Sequence, residues 1–193
     1  MMYYFLLFMS NILINNFVLV RFLGLCPFMG ISKTINSAVG MGVSTTCVIV
    51  FVSLISWIIN CYILIPFQLE HLRIMIYMLV ISISVQIIEI LIKKFSPVLY
   101  KLLGIYLPLI TTNCSVLAIP LLNTRLNFGF IESFVYGLSS ALGFFLVLVI
   151  FSSIRERISE SDIPIYFRGY PIVLITASLL SVSFMGFNGL IKL

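Results

Sequence analysis

A long apolar region in the middle of the chain is interrupted at residues 108–120, which read Pro-Leu-Ile-Thr-Thr-Asn-Cys-Ser-Val-Leu-Ala-Ile-Pro. Polar or thiol-bearing side chains fill four consecutive positions, from Thr111 to Cys114, and a proline stands at each end. Because proline lacks a backbone N–H and clashes with the preceding turn, a continuous helix is not expected here. Irregular backbone is tolerated within a bilayer only where it faces protein or a cavity. The pattern therefore makes Cys114 a candidate ligand at a break in a membrane-spanning segment.

A second break lies near the start of the chain, at residues 22–30, which read Phe-Leu-Gly-Leu-Cys-Pro-Phe-Met-Gly. Here Cys26 follows an apolar run and stands between Gly24 and Pro27. Free cysteines within membrane segments are often small packing residues, which is the alternative interpretation of both thiols. The matched breaks favour the ligand role more than either cysteine would alone.

The composition predicts a membrane protein with several spans. The chain has 193 residues, of which 62% are hydrophobic and only 9% charged, whereas soluble domains carry about 25% charged residues. The net charge of +5 comes from basic residues that lie between hydrophobic runs. This distribution favours membrane lipids as partners and argues against nucleic acid.

Six stretches approach the length of about 20 apolar residues that a membrane-spanning helix needs. They cover residues 3–25, 38–59, 72–92, 100–122, 133–153 and 171–191. We therefore expect an all-α protein with a single integral membrane domain over residues 1–193. Its two halves, 1–95 and 96–193, would hold three spans each, and an odd number of spans makes the second half enter the membrane in the opposite sense. The layout predicts two inverted three-helix repeats, with helices 1 and 4 broken near the midplane.

The distribution of basic residues predicts the orientation. The connections after spans 1, 3 and 5 carry seven of them: Lys33, Lys93, Lys94, Lys101, Arg155, Arg157 and Arg168. The connections after spans 2 and 4 carry only Arg73 and Arg125. The positive-inside rule then places the first group in the cytoplasm and both chain termini outside it.

Other polar residues within the spans have two interpretations each. Glu89 could belong to an ion path, but it stands four residues before Lys93, and an ion pair on one helix face is the favoured interpretation. The amides of Asn15, Asn16 and Asn113 could line a cavity or an ion path, although hydrogen bonding between helices is slightly favoured.

No complete metal site or enzyme motif is found in the sequence. The common iron–sulfur clusters take four cysteine ligands and structural zinc takes four ligands, so two thiols would need another subunit. His71 is the single histidine and lies in a connection on the opposite side from that of Lys33. Cys47 and Cys61 lie in or beside a plain apolar helix, where packing is expected. A self-sufficient enzyme is not predicted.

Several segments resemble the A-type membrane subunits of the Rnf electron-transport complex, called Rsx in enteric bacteria. The similarity extends over nearly the whole chain and is carried by residues 15–30 (Asn-Asn-Phe-Val-Leu-Val-Arg-Phe-Leu-Gly-Leu-Cys-Pro-Phe-Met-Gly), 96–100, 103–114, 154–157, 167–169 and 184–187. A membrane subunit of the Na+-translocating NADH:quinone oxidoreductase is related to the same family.

The resemblance implies a function that composition and spacing do not give. It implies a six-span subunit of an ion-translocating oxidoreductase complex in the bacterial inner membrane, with electrons relayed across the membrane and coupled to Na+ or H+ movement. A [2Fe–2S] cluster would be shared with a homologous, inverted E-type subunit, and Cys26 and Cys114 would be this chain's two ligands. The further partners implied are the B-, C-, D- and G-type subunits.

Two other functions remain open from the residues alone. Inverted repeats and broken helices also describe secondary transporters, and a membrane scaffold for redox partners would need no ligand role for the cysteines. Iron content would separate the electron-transfer subunit from both. Transport driven by a solute gradient without a redox donor would favour the transporter.

Overall fold

The structure is a computed structural model that describes residues 2–14, 16–31, 35–67, 70–95, 107–159, 164–167 and 169–186. Within these ranges every regular element is a helix, as the apolar composition predicts. Residues 1, 15, 32–34, 68–69, 96–106, 160–163, 168 and 187–193 lie outside these ranges. They include parts of the predicted first, fourth and sixth spans and the basic residues Lys33, Lys101 and Arg168.

The described α-helices, in chain order, are α1 (Met2–Met9), α2 (Phe17–Arg21), α3 (Leu25–Ile31), α4 (Ile35–Ile59), α5 (Ile65–Phe67), α6 (Arg73–Phe95), α7 (Leu107–Thr111), α8 (Cys114–Arg125), α9 (Phe130–Ser159) and α10 (Tyr170–Met185). A π-helical segment, Ser10–Ile14, continues α1, and another, Asn60–Leu64, joins α4 to α5. Short 3-10 turns at Glu70–Leu72 and Ile165–Phe167 precede α6 and α10.

Three of these helical segments are long and apolar enough to cross a membrane. They cover Ile35–Leu64, Arg73–Lys94 and Phe130–Ser159, which confirms the predicted spans 38–59, 72–92 and 133–153. Helix α10 has 16 residues and is also apolar. The predicted first and fourth spans are divided into shorter helices, α1 to α3 and α7 to α8.

The core forms where α4 packs along α9. Met41, Ile49 and Val52 of α4 are buried with Phe144 and Phe151 of α9. Small residues let the two backbones approach closely. A Cβ atom on Gly42 would overlap the ring of Phe145, and one on Gly137 would lie 2.8 Å from Ser53 Oγ. Glycine at these two positions therefore allows the close packing of α4 on α9.

A hydrogen-bonded chain links α4, α8 and α9. The Ser53 hydroxyl donates to Ser133 O at 2.9 Å, and Asn123 Nδ2 donates to Ser53 Oγ at 2.9 Å. Because Ser53 uses its only proton on a carbonyl, it can only accept from Asn123, which fixes the direction of that amide. The beginning of α9 and the second half of α8 are thereby held on the same face of α4.

Pro120 does not end the helix in which it lies. It is a buried residue inside α8, which continues to Arg125. An interior proline removes one backbone hydrogen bond, but α8 is held by packing against α4 and α6. The Thr124 hydroxyl also donates to Pro120 O at 2.8 Å. The interruption in this region therefore lies at Thr112 and Asn113, and Pro120 has no part in it.

Cys47 and Cys61 do not pack inside this chain. Both side chains are exposed, so the sequence-based packing interpretation is wrong for the isolated subunit. Large apolar residues on α6 are exposed in the same way, among them Met75, Leu79 and Ile90. Exposed apolar surface on a membrane-spanning helix is what contact with lipid or with another membrane subunit requires.

Candidate functional site

The fourth predicted span is interrupted between α7 and α8, where Thr112 and Asn113 are not helical. Asn113 has an extended backbone (φ −70°, ψ 115°), and its side-chain oxygen accepts a hydrogen bond from Ser115 N at 3.1 Å. This is the geometry of an asparagine N-cap, which satisfies one of the free amides at a helix start. Cys114 is consequently the first residue of α8.

The first predicted span contains the same kind of cap. Asn16 has nearly the same backbone conformation (φ −64°, ψ 107°), and its side-chain oxygen accepts from Val18 N at 3.1 Å. Its Nδ2 atom donates to Gly143 O at 2.9 Å and to Ile12 O at 3.2 Å. The predicted hydrogen bonding between helices is confirmed for Asn16, while Asn15 lies outside the described residues.

A second interruption follows α2 almost at once. Phe22 adopts the left-handed conformation (φ 52°, ψ 31°), and Gly24 has φ +85°. Such angles strain residues with a side chain but suit glycine. Helix α3 then begins at Leu25, which puts Cys26 in its first turn with an exposed thiol.

The two interrupted segments meet at Gly24 and Cys114. The Gly24 amide donates a hydrogen bond to Cys114 Sγ at 2.9 Å. A Cβ atom on Gly24 would overlap Ser115 Oγ, and it would lie 3.0 Å from a ring carbon of Phe144 and 3.4 Å from Asn113 Oδ1. Only glycine fits this contact. The backbone of Gly24, which stands two residues before Cys26, therefore contacts the sulfur of Cys114.

Two buried polar atoms beside Cys114 have no hydrogen-bond partner within the described part of the chain. They are Asn113 Nδ2 and Ser115 Oγ, and both residues are almost fully buried. Buried polar atoms are normally paired, so an unpaired group needs an explanation such as a site for an absent partner. These two atoms flank the residue that the sequence marks as a ligand.

The described residues contain no group of three or more His, Cys, Asp or Glu side chains that could hold a metal ion. The thiols of this region are Cys26 and Cys114, and their role as ligands stays a prediction. A partner would have to supply the remaining ligands of a four-thiolate cluster.

The other predicted residue lies elsewhere. Glu89 is half-buried on α6, four residues before the exposed Lys93, and its role in an ion path stays a prediction.

Sequence reasoning did not identify Gly24 or Ser115 as site residues. One sequence signal could have identified Gly24: it stands two residues before Cys26 at a break in an apolar segment. Glycine at such a break is suited to a positive φ.

Comparison with known proteins gives the family. Residues 4–191 match the family model described as "Rnf-Nqr subunit, membrane protein". The chain is 78% identical over 191 residues to the A-type subunit of the ion-translocating oxidoreductase complex from Buchnera aphidicola subsp. Baizongia pistaciae, covering 99% of this chain and 98% of that one. It is 56% identical over 190 residues to the protein of the same name from Shigella sonnei, covering 98% of each chain. The likeness therefore extends over nearly the full length of these relatives.

Proposed function

The chain belongs to the Rnf-Nqr family of membrane subunits, and from this premise we propose that it is the A-type subunit of a bacterial ion-translocating oxidoreductase complex. In this proposal it relays electrons across the membrane through a [2Fe–2S] cluster held jointly with a homologous, inverted E-type subunit. The B-, C-, D- and G-type subunits of the Rnf complex complete the assembly. The observation that carries the proposal is the hydrogen bond from the Gly24 amide to Cys114 Sγ, which joins the two segments that bear the candidate ligands.

The residues present fit half of such a cluster site. Cys26 and Cys114 supply two sulfur ligands, and the exposed Cys26 thiol is accessible to a group shared with another subunit. The unpaired Asn113 Nδ2 and Ser115 Oγ are donors that can hydrogen-bond to sulfur. Hydrogen bonds to the sulfurs are one of the means by which a protein sets the reduction potential of an iron–sulfur cluster. When bound, the cluster would supply one-electron redox chemistry.

The chain's own groups hold Cys114 where a ligand would be needed. Asn113 caps α8 and so fixes Cys114 as its first residue. The Gly24 amide donates a hydrogen bond to the Cys114 sulfur, and a cysteine sulfur can still accept such a bond when it binds metal as a thiolate. Together these groups hold the Cys114 sulfur in one position.

The matched asparagine caps support the proposed inverted repeat of six spans. Asn16 in the first half and Asn113 in the second half have similar backbone angles, and each caps a helix that begins within an apolar segment. The caps suggest that Asn16 and Asn113 are equivalent positions of the two halves. Cys114 then directly follows its asparagine, whereas Cys26 lies ten residues after Asn16. We therefore infer that the repeat is built on the breaks, with the cysteines placed differently in each half.

The proposed orientation has both termini on the periplasmic side of the inner membrane. It is supported by the excess of basic residues after spans 1, 3 and 5. Cysteines introduced one at a time into a Cys47→Ser and Cys61→Ser background test it with an impermeant maleimide on intact cells, and the background itself, which keeps Cys26 and Cys114, is the control. Labelling is expected at position 128, in the connection between spans 4 and 5, and absent at position 156. The reverse result would invert the topology.

The electrostatics of a redox site within the membrane support a coupling to ion movement. In a low-dielectric environment a change of charge is costly unless a compensating charge approaches or the surroundings rearrange. We propose that reduction at this site favours uptake of Na+ or H+, or a shift of the broken helices around it. Ion transport that continues unchanged in Cys114→Ser, after electron flow is abolished, would contradict this coupling.

Electron paramagnetic resonance on the dithionite-reduced membrane complex tests the cluster directly. Wild type is compared with Cys26→Ser, Cys114→Ser and the control Cys47→Ser, whose exposed thiol lies on α4. We expect the signal of this cluster to be lost in the first two variants and kept in the control, with the complex still assembled. A signal unchanged in Cys26→Ser and Cys114→Ser would favour a transporter or scaffold.

A further inference from the structure

A cavity of about 450 Å³ lies among four parts of the chain. They are α1 with the π-helical segment that continues it, α2, the end of α8 and the start of α9. Its walls are mostly apolar and include Leu7, Phe17, Val20 and Leu122. Arg21, the last residue of α2, also lines it. A permanent cation on the wall of an apolar cavity is the feature that needs an explanation.

The Arg21 backbone is expected within the hydrocarbon layer, with its side chain directed toward the interface. Asn16, directly before α2, donates to Gly143 O, and Gly143 stands at the centre of the uncharged stretch between Glu132 and Arg155 of α9. Five residues of helix advance at most about 7.5 Å, while the hydrocarbon core extends about 15 Å from its centre to each edge. The Arg21 side chain is exposed, and a long arginine side chain at such a position extends to the membrane interface, where lipid phosphates lie.

An arginine at this depth requires an anion or water beside it. No Asp or Glu is found among the described residues that line the cavity. Glu132 is the carboxylate nearest in sequence to the lining residue Tyr136, but it accepts the Gly129 amide at 3.1 Å and so caps the start of α9. The described part of the chain thus supplies a guanidinium, the Tyr136 phenol and apolar walls, without an acidic partner on those walls.

We propose that this cavity binds the phosphate of an anionic phospholipid through Arg21, with an acyl chain along the apolar walls. Guanidinium matches phosphate through paired N–H donors, and the aliphatic and aromatic side chains of the walls suit an acyl chain. A zwitterionic lipid brings its own cation to the phosphate, so a net-negative headgroup such as phosphatidylglycerol is favoured. The site is separate from Cys26 and Cys114, and it does not depend on the proposed electron relay.

The test uses the purified complex in wild-type, Arg21→Gln and Arg21→Lys forms, with Lys94→Gln as a control. Lys94 is exposed at the end of α6 and is not among the lining residues, so the control removes the same charge elsewhere. After extensive detergent washing, retained phosphatidylglycerol is quantified per complex. We expect about a tenfold loss in Arg21→Gln, which corresponds to about 1.4 kcal/mol, a smaller loss in Arg21→Lys, and wild-type retention in Lys94→Gln.

Adding ligands back to the washed complex separates the sources of the anion. Phosphatidylglycerol is expected to raise the thermal unfolding midpoint of wild type more than that of Arg21→Gln, whereas phosphatidylcholine and inorganic phosphate have little effect on either. An equal effect of inorganic phosphate would overturn the lipid assignment in favour of a free anion. Equal lipid retention in wild type and Arg21→Gln would overturn it as well. If lipid retention were equal and Arg21→Gln released a partner subunit from the complex, the anion that pairs with Arg21 would be assigned to that subunit.

Discussion

The two asparagine-capped breaks have the same backbone geometry but different surroundings. At the first, every side-chain atom of Asn16 that can hydrogen-bond has a described partner, including Gly143 O on α9. At the second, Asn113 caps α8 with its oxygen while its Nδ2 atom is buried without a described partner. Buried donors are normally paired because leaving them unpaired costs free energy. The difference indicates that the first break is anchored to the scaffold, and that the second leaves donors free beside Cys114.

The largest expected effect is that of Gly24→Ala, which would break the contact between the two regions. The positive φ of Gly24 and the overlap of a Cβ atom with Ser115 Oγ act together, so we expect unfolding free energy to fall by about 3 kcal/mol. Titration with SDS of the purified complex measures this. Gly30→Ala is the matched control, because its added Cβ would meet only Leu109 Cδ2 at 3.6 Å. Equal losses in the two variants would show that Gly24 is not specially constrained.

Asn16→Ala should have the next largest effect. It removes the cap of α2 and the side-chain donor that joins α2 to Gly143 O of α9, for an expected loss of about 2–3 kcal/mol. The same SDS titration gives the value. A loss of a few tenths of a kcal/mol would show that the first break is not anchored through this side chain.

Asn113→Ala should destabilise the protein least of the three. It also removes a helix cap, but it eliminates a buried unpaired donor at the same time, so the expected loss is about 1 kcal/mol or less. The comparison with Asn16→Ala is the measurement that matters, since both changes remove an identical cap. If Asn113→Ala proved the more destabilising, the idea that the second break leaves donors free would be wrong.

Much of the helical framework could be predicted because hydropathy and charge decide it. The segments Ile35–Leu64, Arg73–Lys94 and Phe130–Ser159 follow from runs of apolar residues bounded by polar ones. The breaks were predicted in their approximate position, but Pro120 was misjudged, because packing against α4 and α6 outweighs one missing hydrogen bond. A sequence pattern records the local preference of a proline and carries little information about the neighbours that oppose it.

Of the candidate site, the sequence predicts only the two thiols, and their role as ligands stays a prediction. Cys26 and Cys114 stand out because thiols at breaks in apolar segments are unusual. The contact of Gly24 with Cys114 joins residues that are far apart in the sequence, and no local pattern reveals such a pairing. The same holds for the cavity beside Arg21, whose walls come from four separate segments.

The length of α9 has a mechanical consequence. Its 30 residues span about 45 Å, well beyond the thickness of a hydrocarbon core of about 30 Å, so the helix must tilt or project from the bilayer. Since Asn16 is attached at Gly143 and Asn11 to Ser139 Oγ at 3.3 Å, the first break is carried by α9 as it tilts. A change in the tilt of α9 would therefore also move the segment that leads to Cys26.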